Sequence, residues 1–314
     1  MSAPAQPGQA RVASLAATAR TAWPLLRLLG TAAVCALAWT WLMRHADLRL
    51  LQDQAGRLPA GAWVSAAAAL LGGHAMRAWR LQRDWRESAH APFSECLRIV
   101  LLHNALVIAL PLRSGEVGYL VAVQRRWRVG LRAAGLALLR WRLQDAAVLL
   151  VLAVLLLAPL APALRAAAAV GCAVLLHVAL RAAWAWLLAR AGAGAGVLPA
   201  GPSPWNGLGA SVANWGLKVL ANGGLLAALA GLPWLPGWQG ALGGELAGVQ
   251  PLQPPAGLGT YEAGVWLAAG APPDAAALVA AAIAVHAFSL AVALGAAALV
   301  QLAVGRPRAG EGIR

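Results

Sequence analysis

The residues best placed for chemistry in this chain are ionisable side chains that interrupt long apolar stretches. They are Arg113, Glu116, Arg140, Arg142, Asp145, Lys218, Glu262 and His286, with Asn104, Tyr119, Asn214 and Tyr261 as polar neighbours. A charged side chain at the centre of a hydrocarbon layer costs roughly 2.5–3.5 kcal/mol on insertion scales, so each needs a partner, water or a ligand. Neither a nucleophile–base pair nor a metal-ligand spacing is evident among them. The set therefore indicates binding or transport of a polar group, with no enzymatic activity and no cofactor.

Two carboxylates, Glu116 and Glu262, follow short segments rich in proline and glycine. One interpretation is a carboxylate that responds to a proton or cation, or that holds a substrate-binding arginine. The other is a first-turn acid that stabilises the start of a helix, since the helix dipole favours negative charge there. The two interpretations are compatible, and the sequence leaves both open.

Four further residues are expected to belong to the functional site. Arg142 and Asp145 are three residues apart and share a helix face, so they either neutralise each other or let Arg142 bind a phosphate that Asp145 helps to orient. Lys218 falls near the middle of an apolar run, where a lysine without a purpose is improbable. His286 could titrate near neutral pH or be a packed polar residue, and both alternatives stay open.

The composition identifies the environment of these residues. Of 314 residues, 61% are apolar and 11% are charged, and the mean hydropathy is +0.67. A soluble domain is about 25% charged, so lipid is the expected surrounding for most of the chain. The apolar runs lack the alternation of barrel strands, which favours helices. The net charge of +14 fits basic loops beside anionic lipid better than nucleic-acid binding.

Six apolar runs are long enough to span a bilayer, which takes about 20 residues. They are 25–43, 60–78, 133–158, 166–188, 207–231 and 275–303. Arginine-rich loops place both ends, 1–24 and 304–314, on the cytoplasmic side. The predicted location is the bacterial cytoplasmic (inner) membrane, with multiple passes.

Two other apolar regions, 96–124 and 240–269, are broken near their centres and fit poorly as single spans. The charges of the flanking loops predict that each enters and leaves on the same side, as re-entrant helical hairpins of opposite orientation. The residues expected to shape the two tips are Pro111, Gly115, Pro255, Gly257 and Gly259. The expected fold is an all-α integral membrane protein built as an inverted-topology repeat, 25–158 and 159–303.

Several motifs resemble the flippase-like transmembrane region of lysylphosphatidylglycerol synthases and their stand-alone relatives over roughly residues 25–303. They are Met76-Arg77-Ala78-Trp79-Arg80, Asn104, Leu110-Pro111-Leu112-Arg113-Ser114-Gly115-Glu116, Arg142-Leu143-Gln144-Asp145 and Pro255-Ala256-Gly257-Leu258-Gly259-Thr260-Tyr261-Glu262. His286 stands where relatives often have a basic residue. The resemblance implies lipid translocation or handling without the aminoacyl-transferase domain.

Two functions from different classes follow. The first is a transporter that moves a phospholipid or polyprenyl-type lipid head group between leaflets, with Arg113, Arg142 and Lys218 facing its phosphate and Glu116 and Glu262 gating or balancing charge. The second is a lipid-binding subunit or scaffold for an envelope-lipid enzyme, without transport. Both predict anionic or phosphate-bearing membrane lipids as partners.

Overall fold

The computed structural model describes residues 29–30, 32–110, 114–191, 207–250, 254–271 and 275–304, and within them the regular structure is helical throughout. The first half contains α1 (32–45), α2 (Leu48–Arg57), α3 (Ala60–Ala89), α4 (Phe93–Ala109), α5 (Gly115–Trp127) and α6 (Leu131–Leu157). The second half contains α7 (Pro162–Ala191), α8 (Leu208–Ala230), α9 (Trp234–Gly248), a 3-10 turn (Pro255–Gly257), α10 (Thr260–Ala268) and α11 (Ala275–Val304). The prediction of an all-helical chain is confirmed.

Local sequence signals explain where these helices begin and end. Proline immediately precedes α3, α4 and α9, at Pro59, Pro92 and Pro233, where its missing N–H and extended backbone suit a helix boundary. Asp47 caps α2, because its Oδ1 accepts the N–H of Arg49 at 2.9 Å. Gly231 ends α8 in the left-handed conformation, with φ +65°.

Three helical segments are long and apolar enough to cross a membrane among the residues that the structure describes: Pro162–Leu187, Leu208–Ala230 and Ala275–Ala303. They coincide with the predicted spans 166–188, 207–231 and 275–303. The predicted spans 60–78 and 133–158 lie in α3 and α6, which are 30 and 27 residues long but carry more charge. The chain thus has the character of a membrane protein.

Some predicted segments lie outside the described residues. They are the tail 1–24, the first residues of the span 25–43, residues 305–314 of the C-terminal tail, and the tip residues Pro111 and Arg113.

Each broken region forms two short helices that pack against each other. The helices α4 and α5 have 17 and 13 residues, and α9 and α10 have 15 and 9, which is short against the roughly 20 that a span requires. Glycine makes the close approach possible: a Cβ on Gly115 would lie 2.4 Å from the carbonyl carbon of Leu106. In the second pair, a Cβ on Gly264 would lie 2.5 Å from the carbonyl oxygen of Gly243.

The contacts between helices repeat from one half to the other. At the centre, α3 packs against α8. Around this pair, α3 contacts α4 as α8 contacts α9, and α5 contacts α6 as α10 contacts α11. The pair α4–α5 is called the first hairpin and the pair α9–α10 the second hairpin. Each hairpin also touches the last helix of the other half, since α4 packs on α11 and α9 packs on α6. The two halves therefore enclose one shared centre.

Three clusters of buried apolar side chains hold this arrangement. One joins the four helices α3, α4, α5 and α6 around Trp85, Tyr119 and Trp141. A second joins α8, α9, α10 and α11, with Ala66 of α3. The third, around Trp215, lies where α6 of the first half packs against α8 and α9 of the second half. It therefore stabilises the contact between the two halves.

Candidate functional site

A cavity of about 180 Å³ lies at the centre, between the two halves. A single water needs roughly 10–15 Å³ of such volume, so the space admits a small polar group together with water. Helices α3, α4 and α6 supply one wall, and α8, α9, α10, α11 and the 3-10 turn supply the other. Its polar lining comprises His74, Arg77, His103, Asn104, Arg142, Asp145, Asn214, Lys218, Glu245, Tyr261, His286 and Ser289.

The wall from the first half carries two guanidinium groups. Arg142 Nη2 lies 2.8 Å from Glu116 Oε1, and both side chains are about one quarter exposed. The same nitrogen lies 3.4 Å from His103 Nε2. Arg77 Nη1 donates to Asn104 Oδ1 at 3.3 Å. Helices α3, α4 and α6 thus bring two guanidinium groups, one side-chain amide and one imidazole to the same wall of the cavity.

Asp145 has a partner that the spacing of residues did not indicate. Its Oδ1 accepts from Arg80 Nη1 at 3.1 Å and from the Ser211 hydroxyl at 2.9 Å, and Arg80 also donates to Ser211. Of the two alternatives for Arg142 and Asp145, mutual neutralisation is therefore not the arrangement adopted. Asp145 ties α6 to α3 and α8, while Arg142 is held by Glu116.

On the opposite wall, Lys218 Nζ lies 2.6 Å from Glu245 Oε2. The Glu245 side chain is 7% exposed and the Lys218 side chain 35%, so the lysine is the partner that reaches open space. The ammonium also lies 5.6 Å from the centroid of the Trp215 ring, which is within the range of a cation–π contact. Lys218, which the sequence placed in the middle of an apolar run, thus forms an ion pair that joins α8 to Glu245 of α9.

The second hairpin contributes a carboxylate–imidazole pair. Glu262 Oε1 lies 2.7 Å from His286 Nδ1, and Oε2 accepts the Gly259 N–H at 2.7 Å. The His286 ring stacks on Tyr261 with centroids 4.2 Å apart. Glu262 therefore caps α10, as the first-turn interpretation expects, and it also contacts His286 at the cavity wall.

The tip of this hairpin depends on left-handed backbone conformations. Gly257 and Gly259 have φ of +75° and +81°, and Ala256 between Pro255 and Gly257 has φ +57°. Ala256 and Gly257 line the cavity. A Cβ on Gly259 would lie 2.5 Å from the carbonyl oxygen of Ala38, which leaves room for glycine alone between the tip and α1.

The structure gathers most of the predicted residues at this cavity. Arg142, Asp145, Lys218, Tyr261, His286 and Gly257 line it. Glu116 and Glu262 reach it through Arg142 and His286. Tyr119 is instead buried in the core, where its hydroxyl accepts from Trp85 Nε1 at 3.4 Å.

Two of the arginine, lysine and carboxylate side chains at the cavity are absent from the predicted set, Arg77 and Glu245. The arginines 77, 80, 83 and 86 recur every third residue. In the structure Arg77 lines the cavity and Arg80 is buried, whereas Arg83 is exposed. Glu245 interrupts an apolar stretch, which is the signal that identified the other candidates.

No family model, curated protein or solved structure matches this chain. The chemistry of the cavity is therefore assessed from its own groups. Arg77, Arg142 and Lys218 present N–H donors to the same space. Groups of this type bind oxygen-rich anions such as phosphate, and guanidinium does so with two parallel hydrogen bonds.

Proposed function

We propose that this protein binds the phosphate-bearing head group of a phospholipid or polyprenyl-type lipid in its central cavity and moves it between the leaflets of a membrane. The observation that carries the proposal is the convergence of Arg77, Arg142 and Lys218, from three different helices, on one cavity between two similarly arranged halves. Ionisable side chains among apolar helices are rare, and they commonly mark a ligand site or an ion pathway even where they are paired. The motif resemblance to flippase-like transmembrane regions supports the same conclusion.

The proposed topology has six spans, 25–43, 60–78, 133–158, 166–188, 207–231 and 275–303, with both termini in the cytoplasm of a bacterium. In it, the α4–α5 and α9–α10 pairs are re-entrant hairpins that approach the cavity from opposite sides. Their short helices and the repeated contacts of the two halves support this arrangement. Inverted repeats with broken helices at a midplane site are a common transporter architecture.

Single cysteines in a background without Cys35, Cys96 and Cys172 test this topology in intact cells. We expect a membrane-impermeant maleimide to spare His90→Cys and Arg128→Cys, on either side of the first hairpin, until the membrane is permeabilised, because both face the cytoplasm. Leu160→Cys should react from outside. All three positions are exposed. Labelling of positions 90 and 128 from opposite sides would contradict a re-entrant hairpin.

Lipid transfer is tested with purified protein in vesicles that contain trace fluorescent phosphatidylglycerol. We expect Arg142→Ala to slow transfer about tenfold, which corresponds to about 1.4 kcal/mol, because one phosphate-binding guanidinium is lost. Accessibility of the probe to dithionite measures its transfer. Arg83→Ala is the matched control, since Arg83 lies exposed on α3 outside the cavity and should leave the rate unchanged.

Equal rates for the wild type and Arg142→Ala would contradict the assignment of the cavity as the lipid site. Wild-type vesicles that transfer lipid no faster than protein-free vesicles would contradict transport itself. If such protein still bound the probe, the non-transporting lipid-binding subunit would replace the transporter as the function.

A further inference from the structure

The Glu262–His286 pair is buried yet connected to the cavity. Glu262 is 1% exposed, and both of its oxygens have partners, His286 Nδ1 and the Gly259 N–H. His286 lines the cavity. Since Nδ1 is hydrogen-bonded to the Glu262 carboxylate, Nε2 is the ring nitrogen that can take a proton from water in the cavity. The pair therefore has the connections of a proton-binding site.

Several charged or titratable groups on the helices packed around α11 contact His286 or line the same cavity. They are Glu262 and Tyr261 on α10, Lys218 on α8, His74 and Arg77 on α3, and His103 on α4. Glu245 of α9, which pairs with Lys218, and Arg142 of α6, which pairs with Glu116, line the same cavity. The remaining neighbour, α2, presents the amide of Gln54 to the Ala277 carbonyl.

Among the described residues, the charges of the cavity and its ion-pair partners cancel when the imidazoles are neutral. Among the residues that the structure describes, the cavity and its ion-pair partners hold four positive and four negative side chains. They are Arg77, Arg80, Arg142 and Lys218 against Glu116, Asp145, Glu245 and Glu262. A lipid phosphodiester would add one negative charge that this set of described groups leaves uncompensated, and an uncompensated charge in a low-dielectric interior is strongly unfavourable.

We infer that the Glu262–His286 pair takes up one proton when an anionic head group binds, so that the loaded cavity is electrically neutral. The proton comes from water on the loading side, forms imidazolium hydrogen-bonded to Glu262, and returns to water on the other side when the lipid leaves. This inference rests on the proposed function and supplies its coupling ion. It predicts that lipid and proton cross in the same direction.

The decisive measurement uses wild-type protein in vesicles with trace fluorescent phosphatidylglycerol and a gradient of one pH unit. With one proton per lipid, we expect about tenfold more probe in the leaflet that faces the alkaline side at steady state, since one pH unit is a tenfold proton ratio. The ratio should not respond to a potassium–valinomycin potential, because the moving complex is neutral.

Variants connect the effect to the pair. We expect Glu262→Gln and His286→Asn to lose the pH-driven accumulation. His177→Asn is the matched control, because His177 is an exposed imidazole on α7, away from the cavity, and the variant should keep the tenfold ratio. Retention of the ratio in both cavity variants would contradict this assignment.

The wild-type result separates this inference from the function on which it rests. Lipid transfer with a ratio near one under the pH gradient, or with a ratio set by the membrane potential, would overturn proton coupling while transport stands. Absence of transfer under every condition would overturn transport as well.

Discussion

Replacing Asp145 with alanine is expected to lower the free energy of unfolding by about 3–5 kcal/mol, because it leaves a buried arginine without its counter-charge. The Arg80 side chain is 1% exposed and that of Asp145 is 10% exposed. Arg80 also lies 4.8 Å from the centroid of the Trp141 ring, so it has little freedom to reach water. Thermal unfolding in detergent, followed by tryptophan fluorescence, measures the loss.

Two controls separate the buried charge from a general effect. Arg126→Ala removes an ion pair with Glu95 in which the arginine side chain is 66% exposed, so the expected change is under about 1 kcal/mol. The double variant Arg80→Met/Asp145→Leu removes both charges and should recover most of the stability lost in Asp145→Ala. A double variant as unstable as the single one would show that the loss came from packing and not from the unpaired charge.

Gly243→Ala is expected to destabilise the protein by about 1–3 kcal/mol through overpacking of the second hairpin. A Cβ there would lie 2.3 Å from the carbonyl oxygen of Gly264 and 2.3 Å from the Ala268 Cβ. Relief requires α9 and α10 to separate, since the oxygen belongs to the backbone. The same thermal unfolding assay measures the effect.

Gly216→Ala is the matched control, because Gly216 lies within α8 and a Cβ there meets no atom within 4 Å. Alanine is the better helix former by about 1 kcal/mol, so this variant should be neutral or more stable. The two substitutions are chemically identical and their expected effects have opposite signs. Loss of stability at position 216 equal to that at 243 would contradict close helix packing as the cause.

The sequence alone predicted much of the helical framework. Long apolar runs identified α7, α8 and α11, because a helix satisfies its own backbone wherever the surroundings lack water. Proline and glycine marked the breaks between α4 and α5 and between α9 and α10. The division of α9 and α10 around the 3-10 turn at Pro255–Gly257 lies within the region expected to be broken.

The partners of the ionisable residues were beyond the reach of sequence spacing. Arg142 and Asp145 share a helix and are three residues apart, yet Arg142 pairs with Glu116 and Asp145 pairs with Arg80. Spacing shows which residues share a face of one helix. It does not show which neighbouring helix covers that face, and the nearest opposite charge depends on that neighbour.

The amino-acid sequence alone predicts a helical chain, the positions of its two central breaks, and the buried charges that require compensation. These properties follow from the local hydrogen bonding of the backbone and from the cost of a charge in an apolar medium. That Arg77 and Glu245 face the cavity, and that Tyr119 is buried in the core, is visible in the folded arrangement alone. Those positions depend on the rotation and packing of whole helices, which arise from contacts between residues far apart in the chain.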